Sequence, residues 1–132
     1  MDMNLDDALR DGMSMDGAVG IALVDYSSGM ILGKQGGNSL IDMEVAGAVL
    51  TQVVRAKVDA IRTLQLNDAI EDILVTLGAQ YHIIMPLDDG RNSNILESDG
   101  STLFLYLVLD RDRANLAMAR HLLRRIEQSV QV

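Results

Sequence analysis

The run Thr102–Asp110, TLFLYLVLD, decides the fold. From Leu103 to Leu109 no polar residue other than Tyr106 interrupts it, and in a strand successive side chains point to opposite faces, so both faces here are apolar. The run therefore predicts a strand buried on both sides, at the centre of a sheet.

Two further strand-like runs precede it: Ile70–Leu77 (IEDILVTL) and Gln80–Leu87 (QYHIIMPL). They are separated by Gly78-Ala79 and read as a tight hairpin, entered from a turn at Leu66–Asp68. Between this hairpin and the central strand, residues 88–100 (DDGRNSNILESDG) have the composition of an exposed loop. After the central strand, a helix is predicted from Arg113 to Val130, with Leu116, Ala119, Leu123, Ile126 and Val130 on one stripe and Arg120, Arg124 and Arg125 off it.

The first half begins with a short helix over residues 3–12, apolar at Leu5, Ala8 and Leu9, with Gly12 as its expected stop. A strand follows from Val19 to Tyr26, placing Val19, Ile21 and Leu23 on one face and Ala22 and Val24 on the other. It turns through Ser27, Ser28 and Gly29 into a second run, Met30–Gly33, and a loop KQGGNS follows. Glycine at the turn supplies the positive φ that such hairpins often need.

Leu40–Leu64 reads as one long helix with Ser39 as its cap. At 100° per residue, Met43, Gly47, Leu50, Val54 and Ile61 form one stripe, and Val45, Val49, Val53, Ala56, Ala60 and Leu64 form a second beside it. Glu44, Gln52, Arg55, Asp59 and Arg62 fill the remaining arc. The combined apolar arc is wider than one sheet face requires. Its excess is covered either by a second copy across a twofold axis or by other helices of the same chain.

No repeat or linker breaks the 132 residues, and 48% of them are hydrophobic, so a single domain (1–132) with its own core is expected, ordered α-β-β-α-β-β-β-α. The net charge of −8 repels phosphate backbones, and 3% aromatics with no Trp offers no stacking platform, which argues against nucleic acid. Charge is uneven: residues 111–132 carry +3 and residues 1–110 carry −11. The acidic N-terminus lacks the pattern of a secretory signal, no apolar run reaches the length that spans a bilayer, and there is no cysteine. Together these features lead us to expect a cytoplasmic protein without membrane insertion.

Enzyme signatures are absent. A nucleophile elbow needs Gly two residues to either side of the serine; Ser27 has Asp25 and Gly29, and Ser28 has Tyr26 and Met30. Gly29–Gln35 is one residue short of a phosphate loop and ends in Gln where Ser or Thr is needed. The Asp88 loop carries Gly90 where a calcium loop needs an oxygen ligand. His82 and His121 have no cysteine or helical HExxH partner, so no metal and no cofactor is expected. Asp25, Asp72 and Asp110 lie near strand ends, where a carboxylate pair for a small hydrolase could assemble. The eight Met read as core filling.

The segments GAVGIALVDYSSGMILG (17–33), IEDILVTLGAQYHIIMPL (70–87) and LFLYLVLDRDRANLAMARHLLRRIE (103–127) resemble the bacterial branch of the roadblock family, relatives of dynein light chain roadblock and of the MglB regulator. The resemblance implies an α+β sandwich: a five-stranded antiparallel sheet in the order 2-1-5-4-3, the long helix on one face and the terminal helices on the other. It also implies a homodimer in which the long helices pack side by side and the third strands pair, relieving an otherwise free edge.

The expected dimer interface is Met43, Gly47, Leu50, Val54 and Ile61 with Ile73 and Val75. The outer face of the paired helices, with Glu44, Gln52, Arg55, Asp59 and Arg62, is the expected partner surface. Family resemblance implies a non-enzymatic regulator or scaffold of a small Ras-like GTPase. The alternative is a structural adaptor joining larger signalling or motor proteins. The basic C-terminal helix is expected to meet either an acidic partner or the protein's own acidic body.

Overall fold

The computed structural model describes residues 3–38, 41–66, 68–87 and 103–131. Its elements are α1 (Leu5–Met13), β1 (Ala18–Asp25), β2 (Ile31–Gly36), α2 (Met43–Thr63), β3 (Ile73–Thr76), β4 (Gln80–Pro86), β5 (Leu103–Asp110) and α3 (Leu116–Ser129). The five strands form one antiparallel sheet in the order β2-β1-β5-β4-β3. A two-residue parallel ladder pairs Met3 with Val130 and Asn4 with Gln131, tying the start of α1 to the end of α3.

β5 is central, as its sequence requires. Phe104, Tyr106 and Val108 face α2, where they are buried with Ala22, Val24, Val54, Val58 and Ile84. Leu105, Leu107 and Leu109 face α1 and α3, buried with Leu9, Ile21, Leu23, Ile83, Leu123 and Ile126. One strand thus feeds two cores, and its alternation sorts the helices into one layer on each side.

Several boundaries differ from the expectations, each for a local reason. α2 is capped by Asp42, whose carboxylate accepts from the N–H groups of Glu44 and Val45 at 2.9 and 3.3 Å. Ser39 and Leu40, the expected cap and first residue, lie outside the described residues. α1 starts after Asn4, which accepts from the N–H of Asp7 at 2.9 Å. Gly12 does not stop it. That glycine is buried inside the helix because a Cβ there would meet the Ile21 Cδ1 at 2.5 Å, so it permits close packing of helix on strand.

β2 runs on through Lys34-Gln35-Gly36, paired with Gly20, Ile21 and Ala22, where a loop was expected. β3 is shorter than expected, Ile73–Thr76. Val19 is a bulge: Ala18 pairs with Leu109 and Gly20 with Val108, so Val19 joins the α2 core, opposite to the face that simple alternation gives it. α3 begins at Leu116, capped by Asn115, which accepts from the Met118 N–H at 3.0 Å. The expected loop 88–100 and Thr102 lie outside the described residues.

Candidate protein-interaction face

Helix α2 carries two apolar stripes, and the structure decides which one the sheet takes. Met43, Gly47, Val54, Val58 and Ile61 are buried against the chain's own sheet, with Leu50 half-buried beside them. The small residue sets this rotation: a Cβ on Gly47 would lie 2.6 Å from Ile31 Cδ1 and 3.0 Å from Val24 Cγ2. A side chain here would push on Ile31 and Val24, so the glycine lets the helix sit close to the sheet. Met43, Gly47, Leu50, Val54 and Ile61 therefore belong to the monomer core, which corrects their expected place in a dimer interface.

The second stripe is the open one. Val45, Val49, Val53 and Leu64 are 59%, 55%, 39% and 65% exposed, and Ala56 is exposed between them. An unpartnered row of β-branched residues on one helix face costs solvation free energy, so it is an informative feature of a surface. The stripe borders the sheet at β3, where Val53, Ala56, Lys57 and Ala60 line an open groove with Asp72 and Ile73. Ile73 and Val75 are half-buried and sit opposite Ile84 and His82, on the sheet face that α2 occupies.

The sheet's two edges differ. In β2, Leu32 is an extra residue between the pairs Leu23–Gly33 and Val24–Ile31, and this bulge disrupts the edge. β3 pairs with β4 through four residues in unbroken register, and no strand among the described residues lies on its other side. The edge suited to extension is therefore the one next to the exposed stripe.

Glu44, Gln52, Arg55, Asp59 and Arg62 are all exposed, and two of them, Glu44 and Arg55, reach the first hairpin. Lys34 Nζ lies 3.2 Å from Glu44 Oε2. Arg55 donates to the Ser27 carbonyl at 3.2 Å, its guanidinium 5.8 Å from the centre of the Tyr26 ring. Arg62 and Asp59 are 4.0 Å apart. These residues form one solvated, mixed-charge strip alongside the valines.

Asp25, Asp72 and Asp110 do not assemble into a carboxylate pair. Asp25 accepts from the Ser27 N–H and hydroxyl at 2.9 and 2.8 Å, which closes the hairpin turn together with Gly29 at φ 77°. Ser27 and Ser28 are turn residues. Asp110, at the opposite end of the antiparallel β1–β5 pair, accepts from the Asp112 N–H at 3.0 Å. Asp72 is held by Arg120 through two hydrogen bonds of 2.6 and 3.0 Å. That pair raises the Arg120 guanidinium further above its usual range. Arg124 donates to Glu127 at 3.2 Å and to the Glu71 carbonyl at 3.4 Å. Of the three arginines of α3, Arg120 thus pairs with a carboxylate of the acidic body, while Arg124 reaches only a backbone carbonyl there and pairs with Glu127 of its own helix.

A polar chain with no signal in the sequence crosses the floor of the face. His82 Nε2 lies 2.9 Å from Gln80 Oε1, and His82 Nδ1 lies 3.1 Å from the Tyr106 hydroxyl. Burial pushes the His82 imidazole below its usual 6.5 and the Tyr106 phenol up to about 12. His121 is exposed on α3. Among the described residues no group of His or carboxylate side chains could hold a metal ion, and no helix is long and apolar enough to cross a membrane.

No protein-family model matches the chain, nor does any curated protein sequence. Solved structures do match. The Roadblock/LC7 domain from Streptomyces avermitilis superposes with a TM-score of 0.73 at 11% identity, over 96% of this chain and 93% of that one. Myxococcus xanthus MglB gives 0.68 at 13% identity, over 92% and 77%. MglC from Myxococcus xanthus gives 0.59 at 17% identity, over 96% and 95%. The chain has the roadblock fold, in the strand order and layering that the family resemblance implies.

Proposed function

We propose that this roadblock-fold chain is a non-enzymatic, homodimeric regulator or scaffold for a small Ras-like GTPase in a signalling or polarity system. The observation that carries the reading is the stripe Val45, Val49 and Val53, exposed beside the unbroken edge of β3. A twofold axis there would place valine against valine and β3 against β3, burying both liabilities in one contact. Pairing two copies would leave the strip Glu44, Gln52, Arg55, Asp59 and Arg62 exposed on the outside, and we assign the GTPase to it.

No carboxylate pair or activated serine backs an enzymatic role at this face. A GTPase seated there would be regulated by positioning its own groups, without a donated catalytic charge. The likeness to MglB and MglC supports a GTPase system as the setting. A cytoplasmic location follows from that partner.

The test is binding to small GTPases encoded near the chain's gene, each loaded with GDP or with a non-hydrolysable GTP analogue. The proposal expects binding that prefers one nucleotide state and is lost in Arg55→Glu. Equal binding to both states would favour an adaptor that joins larger proteins. Binding to no GTPase would reject the GTPase reading.

A further inference from the structure

We infer that the dimer proposed above is governed by acid through His82, so that protonating this side chain drives the two copies apart. The inference rests on that dimer reading and goes beyond it, from the existence of the contact to its control.

His82 stands on β4 between Val75 of β3 and Val108 of β5, on the sheet face that carries α2. It is half-buried, and Val75, its neighbour on the outer strand, borders the free edge. A second copy seated on the exposed stripe and joined at β3 would cover it.

The two hydrogen bonds are complete with the neutral ring. Gln80 Oε1 is an acceptor, so the proton sits on Nε2, and Nδ1 accepts from the Tyr106 hydroxyl. A second proton, on Nδ1, would face that hydroxyl proton. The phenol would have to turn its hydrogen away inside a core where Tyr106 has no exposed surface.

Neighbouring charges do not offset the cost. On β5, Asp110 lies opposite Gln80 and accepts from the Asp112 N–H. Ahead of β3, Asp72 is engaged by Arg120. On α2, the groove side offers Val53, Ala56, Ala60 and a cation, Lys57, while Glu44 faces Lys34 on the far side.

Covering the floor removes more water from His82, and desolvation disfavours the charged imidazole. The dimer therefore binds the proton less well than the monomer does. Dimer stability is fully present above the monomer's His82 pKa and is lost as pH falls through it, a range below the usual 6.5 because burial already lowers the group. With one His82 per copy, the dissociation constant rises by up to about 100-fold per pH unit in that range.

The test is sedimentation velocity on the full chain from about pH 8 to about pH 5, with circular dichroism at each pH, for wild type, His82→Gln and His82→Leu. The expected result is a wild-type dimer at the alkaline end that becomes a folded monomer in acid, while both variants stay dimeric throughout. If one variant fails to fold, the other carries the comparison. A wild-type dimer at every pH, or variants that dissociate in step with it, would overturn the acid control and leave the dimer standing. A wild-type monomer even at the alkaline end would overturn the dimer reading and this inference with it.

Discussion

Arg120 on α3 grips Asp72, ahead of the edge strand, with Nη2 at 2.6 Å and Nε at 3.0 Å from its two carboxylate oxygens. The two side chains are 44% and 12% exposed, so the arginine remains partly in water while the aspartate is mostly covered. With Arg124 on the Glu71 carbonyl, this pair fastens the approach to β3 from the α3 side. The strand that borders the exposed valines is thereby anchored from the opposite layer.

Arg120→Ala should cost more than an ordinary surface pair, about 1–3 kcal/mol, because it leaves the Asp72 carboxylate covered and unmatched. Asp72→Ala, which strands only a half-exposed guanidinium, should cost about 1 kcal/mol or less. Urea unfolding of both variants checks the order. Equal losses would mean that the covered carboxylate is not what sets the cost.

Gly36 has φ 78°, and a Cβ there would lie 2.5 Å from the Val19 carbonyl oxygen, a backbone atom beside the bulge. Gly36→Ala combines a left-handed backbone with a clash that no side chain can relieve. A loss of about 3 kcal/mol or more is expected in thermal or urea unfolding.

Asp42→Ala removes an acceptor shared by two N–H groups at the start of α2. It should lower stability by about 1 kcal/mol, and Asp42→Asn should recover most of that. Melting temperatures of the two variants provide the comparison.

Much of this architecture was legible because the responsible residues permit one reading. The TLFLYLVLD run cannot sit at an edge, and its alternation gives two cores. The Val19 bulge was hidden because alternation presumes an unbroken register, and a bulge breaks that with no signal in residue type. Lys34-Gln35-Gly36 has loop composition, yet it pairs because one side of an edge strand can stay in water.

The rotation of α2 is hidden in the sequence for a more instructive reason. Both stripes of α2 are apolar, so hydrophobicity does not say which one meets the sheet. Gly47 does, because a glycine inside a helix marks a side packed closely against its neighbours, here the Ile31 and Val24 side chains of the sheet, and it lies on the stripe with Met43 and Val54. The Gln80–His82–Tyr106 chain depends on cross-strand register, which only the folded sheet supplies.

Placing α2 by Gly47 separates two valines that the helical wheel alone leaves alike. Val54 has no exposed surface, so Val54→Glu should unfold the domain, with loss of its circular dichroism at ambient temperature. Val49 is 55% exposed in the single chain, so Val49→Glu should leave the fold intact.

The most direct measurement is the solution mass of wild type and Val49→Glu by light scattering at neutral pH. The account predicts a wild-type mass of about twice 14.4 kDa and a folded Val49→Glu monomer. A monomeric wild type, or a Val49→Glu protein that stays dimeric, would contradict a dimer built on the valine stripe of α2.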